Sequence, residues 1–197
     1  MLAMLRKYIY FFILLLASTN LVANQVPKAQ VYCIKELQPT LETLRKLPEI
    51  EALIQRILKD GSLTIKYNER LSTKFMGYWD PYNRAILITD KPNLSEADRI
   101  STMLFEMHNA SRSNDFKEID DLAYQRKLTQ EEYMRESEYV EYENCLATSR
   151  LLAKGIERGL FPTRSAWAVD DNFEDHYKWM KKSGHAGWYA TTYKKMR

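Results

Sequence analysis

Apolar residues recur at spacings of three and four from Leu41 to Leu58, through Leu44, Leu47, Ile50, Leu53, Ile54 and Ile57. This period predicts an amphipathic helix over residues 39–59, kinked or divided at Pro48 and stopped at Gly61. The pattern then switches to alternation, with Leu63, Ile65 and Tyr67 on one face. Two apolar runs follow, TKFMGYWD and RAILITD, separated by the turn-forming Asp80-Pro81-Tyr82-Asn83. They predict a hairpin of residues 75–79 with 85–89, and residues 63–67 supply a third strand. Gly77 inside a strand indicates a bulge or a close approach of another group to the backbone.

Helical patterning returns after Leu94. Ser95 with Asp98 has the spacing of a capping box, and the helix it starts reaches about Ser111. SNDFKEIDDLAYQRKL reads as a further helix, and Thr129 caps a long one from Gln130 to about Glu157, ended by Gly155 and Gly159. A last helix is expected over residues 164–182, before a tail rich in Tyr and Gly. Helix, three strands, then helices predicts an α+β fold, a small three-stranded sheet packed by several helices.

The stretch TMLFEMHNAS, residues 102–111, concentrates the polar chemistry. On a helical wheel Ala97, Ile100, Leu104 and Met107 share one apolar face, bordered by Met103. Phe105 and Asn109 project from nearly the opposite side, with Glu106 between. A helix apolar on two sides is expected between a sheet and another helix, where buried polar groups need partners because unpaired burial costs a few kcal/mol.

The first 23 residues change the frame. Arg6 and Lys7 precede an apolar run from Tyr8 to Ala17 and then Leu21-Val22-Ala23, the order of a secretory signal peptide. Cleavage after Ala23 leaves a single domain over residues 24–197. The alternative is a retained anchor, for which the run is short against the about 20 residues of a bilayer span. The reading is therefore an exported protein, periplasmic or secreted, without a stable membrane anchor after cleavage. Cleavage removes two of the 29 basic residues, leaving 27 against 26 acidic. That balance offers no basic footprint for nucleic acid. Cys33 and Cys145 are an even count in an exported chain and read as a disulfide. It would close a loop of about 110 residues, for which chain entropy predicts about 4.7 kcal/mol. The alternative is two free buried thiols.

The hairpin texture GYWDPYNRAILITD followed by a helix carrying FEMHN resembles the core of the zincin metallopeptidases. In that family the helix bears HExxH, two zinc-binding His flanking a Glu that polarises water. The resemblance puts the first His on Phe105, the Glu on Glu106 and the second His on Asn109. His108 stands one position away, some 100° around the helix. A third ligand on a later helix would come from Glu138, Glu141 or Glu143. Glu141 is the choice, on one face with Val140, Asn144 and Thr148. Phe105 has no donor atom and Asn109 only a neutral amide oxygen, so the resemblance implies a zincin-like core without metal or cofactor. Phe105, Glu106, Asn109 and Glu141 would form a vestigial site, with Phe105 filling the metal cavity.

Two other readings of Glu106 and His108 stay open. They are candidate catalytic residues of an atypical hydrolase, or members of a structural polar cluster. His176 and His185 lack ligand spacing with a partner and read as surface or packing residues. Tyr133, Tyr139 and Tyr142 on one helix, and Trp167, Trp179, Trp188 and Tyr189 near the C-terminus, fit either a binding groove or core packing. No GxSxG elbow, GxGxxG, P-loop or Cys-His nucleophile pattern occurs. The expectation is an exported, non-catalytic zincin-like protein that binds a protein, peptide or envelope component. The alternatives are the atypical hydrolase and a structural exported domain without a ligand cleft.

Overall fold

The strand Val31–Cys33 (β1) leads through helices Gln38–Arg45 (α1) and Pro48–Leu58 (α2) into Leu63–Asn68 (β2). β1 and β2 pair in parallel, Val31 opposite Leu63, and the two helices form the crossover that parallel pairing requires. The computed structural model describes residues 28–68, 75–89 and 94–196. The expected leader over residues 1–23 lies outside them. Pro48 divides the predicted helix in two. It takes the first turn of α2, where its missing N–H removes no hydrogen bond.

Gly77–Asp80 (β3) and Ala85–Thr89 (β4) form the predicted hairpin, with Tyr78 opposite Leu87. Asp80 Oδ1 accepts from the backbone N–H groups of Tyr82 and Asn83, both at 3.1 Å, which closes the turn. β4 also pairs in parallel with β2, so among the described residues the sheet has four strands in the order β1-β2-β4-β3, not three. The additional strand is only three residues long and carries too little alternation to be read from sequence.

Glu96–Ser111 (α3) starts with the predicted capping box, Ser95 Oγ accepting from Asp98 N at 3.2 Å. Ser113–Tyr124 (α4) follows directly, and Gln130–Glu157 (α5) is the long helix, capped by Thr129 and Glu132. A 3-10 turn at Thr163–Ser165 precedes Phe173–Ser183 (α6) and His185–Lys195 (α7). The expected single helix over residues 164–182 is therefore shorter at its start, and the tail is a helix of its own. Gly184, at φ 86°, adopts the left-handed conformation that ends α6 and turns the chain into α7.

The molecule is an α+β protein with two apolar clusters. In the larger one Leu63 and Ile65 of β2 and Ile86 and Ile88 of β4 meet Ile54 and Ile57 of α2 and Ile100, Leu104 and Met107 of α3. In the smaller one Ala123, Tyr133, Met134, Tyr177, Ala186, Tyr189 and Tyr193 join α4, the start of α5, α6 and α7. α5 belongs to both, because Leu152 lies in the first and Tyr133 in the second. Among the described residues no helix is long and apolar enough to cross a membrane.

The expected disulfide is not formed. Cys33 sits on β1 and Cys145 in the middle of α5, the two are not near each other, and both thiols are free. Burial raises the Cys33 pKa to about 11 and pushes Cys145 higher still, so both are held as neutral thiols.

Gly155 does not end α5 but lies inside it, under the Phe161 ring. A Cβ there would stand 2.0 Å from a ring carbon. Gly155→Ala should therefore lower stability by about 1–3 kcal/mol, the cost of overpacking exceeding the up to about 1 kcal/mol gained in helix propensity. Urea denaturation measures it; an unchanged or raised midpoint would exclude the ring contact.

Candidate functional site

α3 is sandwiched as its two-sided pattern requires, packing on β3 and β4 and on α5. Its polar residues at that double interface are buried: Glu106 is 5% exposed and Asn109 6%. One carboxamide serves both neighbours. Asn109 Nδ2 donates to Glu106 Oε2 at 3.1 Å, and Asn109 Oδ1 accepts from Asn144 Nδ2 of α5 at 2.8 Å. β3 crosses directly over this group. A Cβ on Gly77 would lie 2.5 Å from Thr102 Cγ2 and 3.1 Å from both Cγ and Oε1 of Glu106. The glycine is the close backbone approach that its position in a strand indicated.

Two further carboxylates come from α5, one turn apart, and meet two groups one turn apart on α7. His185 Nδ1 pairs with Glu138 Oε1 at 2.8 Å, and the Tyr189 hydroxyl donates to Glu141 Oε1 at 2.8 Å. Burial raises the Glu106 pKa to about 8, helped by the Glu141 charge and opposed by the Asn109 hydrogen bond, His185 and the Trp79 backbone. Glu141 is raised as well, by burial above all, with His185 opposing and Glu138 adding to the rise. Burial alone would lower His185. The Glu138 hydrogen bond and the charges of Glu141, Glu138 and Glu106 together outweigh it and bring His185 to about 9. The cluster is a set of neighbouring carboxyls sharing one imidazolium and few protons, a coupled system.

Glu106, Asn109 and Glu141 thus come together, and the other two sequence candidates stand apart. Phe105 turns its half-buried ring onto Trp167, with centroids 4.9 Å apart. His108 lines a separate cleft with Arg56, Arg112 and Arg150, and its Nε2 is buried without a hydrogen-bond partner. Burial, with the Arg56 and Arg112 charges, lowers its pKa to about 4. Glu106 and His108 lie two residues apart on one helix, about 200° around its axis, so they address different surroundings. The donor set does not fit a zincin metal site. Phe105 offers no ligand atom, the Asn109 amide is occupied on both sides, and among the described residues no three His, Cys, Asp or Glu are arranged to hold an ion.

Sequence reasoning did not assign Asn144, His185 and Tyr189 to this cluster. Asn144 stood on the same face as Glu141, a usable signal. His185 and Tyr189 have the i, i+4 spacing of one helix face, hidden because the glycines around them read as a tail. His176 is buried too, its Nδ1 3.6 Å from Asp170 Oδ2, with a pKa lowered by burial. Neither family models, nor curated proteins, nor solved structures give a significant match to this chain.

The pKa directions set a pH dependence. Glu106 rises from its ordinary 4.5 to about 8 and His185 from 6.5 to about 9, so between those limits the folded chain binds more protons than the unfolded one. Below about pH 6.5 the lowered His108 and His176 work in the opposite direction, so stability should fall clearly as pH rises from about 6.5 to 9. Glu106→Gln should shallow the fall up to about pH 8 and leave the part between about pH 8 and 9, which belongs to His185. Unfolding midpoints across the range test this, and parallel profiles for the two proteins would refute the buried, protonated Glu106.

Proposed function

We propose that this is an exported, non-catalytic protein with a zincin-like core, which binds an extended segment of a protein or peptide beside β3. The observation that carries the reading is the Asn109 carboxamide. It stands where the resemblance puts a zinc-binding His, and it spends its donor on Glu106 and its acceptor on Asn144. A water-activating Glu needs its carboxylate ionised and open to substrate. Here Glu106 is buried beneath the Gly77 backbone, with its acidity reduced.

The binding side of the proposal rests on β3. Its one strand partner is β4, among the described residues; on its other edge the Trp79 N–H serves Glu106, and strand addition would use the groups of that edge beside it. Exposed Met76 and Trp188 flank it, and the Tyr78 ring contacts Trp188 edge-on at 6.1 Å. Aromatic and Met side chains beside an open strand edge suit the side-chain sockets of an extended peptide. The export half of the proposal rests on the signal-peptide pattern of residues 1–23.

One observation favours a second reading. A carboxyl with a pKa near 8 beside His185 and Tyr189 has the acid–base chemistry of an enzyme, using Glu106 with His185 in place of His108.

Metal uptake and peptide retention separate these. Purified protein should carry no stoichiometric zinc, whereas Phe105→His combined with Asn109→His should bind one equivalent and lose it again when Glu141→Gln is added. A folded double variant that takes up no zinc would sink the zincin-like core, and zinc in the unaltered protein would sink the non-catalytic reading. A library of unstructured peptides should be retained, with Trp188→Ala weakening retention about tenfold. No retention would overturn the peptide-binding reading, and hydrolysis abolished by Glu106→Gln would favour the enzyme.

A further inference from the structure

On the side of α3 turned away from Glu106, a cleft of about 640 Å³ opens between α2, the α3–α4 junction and α5. Arg56, His108, Arg112, Glu143, Asn144 and Arg150 line it. Three guanidinium groups against one carboxylate is a local excess of positive charge, in a chain with 29 basic and 26 acidic residues. The three are held differently. Arg112 is fixed in place, its Nε on Asp115 Oδ2 and its Nη1 on Glu143 Oε2, both at 2.5 Å. Arg56 and Arg150 make no ion pair among the described residues. His108 adds a buried Nε2 with no partner, a polar atom whose burial costs free energy until something bonds to it.

We infer that this cleft binds a compact anionic molecule through a carboxylate or phosphate group, clamped by Arg56 and Arg150 and hydrogen-bonded by His108. Guanidinium forks match the planar or tetrahedral oxygens of such groups, and a cleft of one charge sign concentrates counter-charged ligands. The volume falls within the about 300–1,000 Å³ of small-molecule sites, which favours a molecule bearing the anion over a bare ion. The low His108 pKa fits the same picture, since burial together with the Arg56 and Arg112 charges keeps the ring neutral and able to present a hydrogen-bonding nitrogen. Asn144 forms part of the wall and also bonds to Asn109, so the cleft and the buried carboxyl cluster share one residue. The inference does not depend on the peptide-binding proposal, which concerns the opposite face of α3.

The test titrates the full chain with inorganic phosphate and, separately, with citrate, at ionic strength held constant with sodium chloride. The His108 ring NMR signal and the unfolding temperature report binding. A saturable His108 shift, with its titration moved to higher pH by the bound anion, is expected with at least one of the two. Arg56→Gln combined with Arg150→Gln should weaken that binding by about tenfold or more. Both side chains are exposed, so the variant keeps its fold. A response to phosphate alone assigns a phosphate-bearing ligand, and to citrate alone a carboxylate. No saturable shift with either, or the same affinity in the arginine variant, would overturn the site.

Discussion

The fold depends on how α3 and α5 dispose of the polar atoms they bury against each other. The faces of α3 that pack on the sheet and on the long helix leave no exposed position for a carboxylate there. Glu106 is there nonetheless, and a buried carboxyl without hydrogen-bond partners would cost a few kcal/mol. Asn109 and Asn144 meet this demand with two side-chain amides in series, and Gly77 lets the β3 backbone close over the group. Removing either amide would leave a buried atom without a partner, so the contact fixes the register of α3 against α5 as well as satisfying it.

α5 extends that constraint through the molecule. Its C-terminal half packs into the sheet core through Leu152, and its N-terminal half carries Tyr133 into the cluster formed with α4, α6 and α7. Glu138 and Glu141 lie between those ends and are met by His185 and Tyr189 of α7. The C-terminal helices are thus tied to α3 by chemistry as well as by packing, since the His185 charge is one of those acting on Glu106. Proton uptake at one carboxyl changes the others, and the cluster responds to pH as a unit.

α3 consequently presents two environments within one helical turn. Toward β3 it is closed and acidic, and Glu106, Asn109 and Asn144 bond to one another, while Thr102 Oγ1 and Glu138 Oε2 are buried without a hydrogen-bond partner. Toward α2 it borders an open basic cleft, where His108 keeps an unused nitrogen and two arginines lack counter-ions among the described residues.

Much of this architecture is legible from residue order. Helix period, the capping pairs Ser95–Asp98 and Thr129–Glu132, Pro48 and the Asp80 turn each act within a few residues, so local chemistry alone determines those elements. The carboxylates that α3 and α5 carry are also local facts. What tertiary structure alone decided is which distant groups meet. β1 is too short to announce itself and exists because β2 offers it a parallel edge. Cys33 and Cys145 pair on paper, but a sheet strand and a helix hold them apart. His185 and Tyr189 gain their roles only when the left-handed turn at Gly184 folds α7 back onto α5, and Arg56 joins His108 only because α2 packs beside α3. Residue order carries period and turn chemistry; partners tens of residues away are chosen by packing, and it is packing that made one polar face a closed network and the other a cleft.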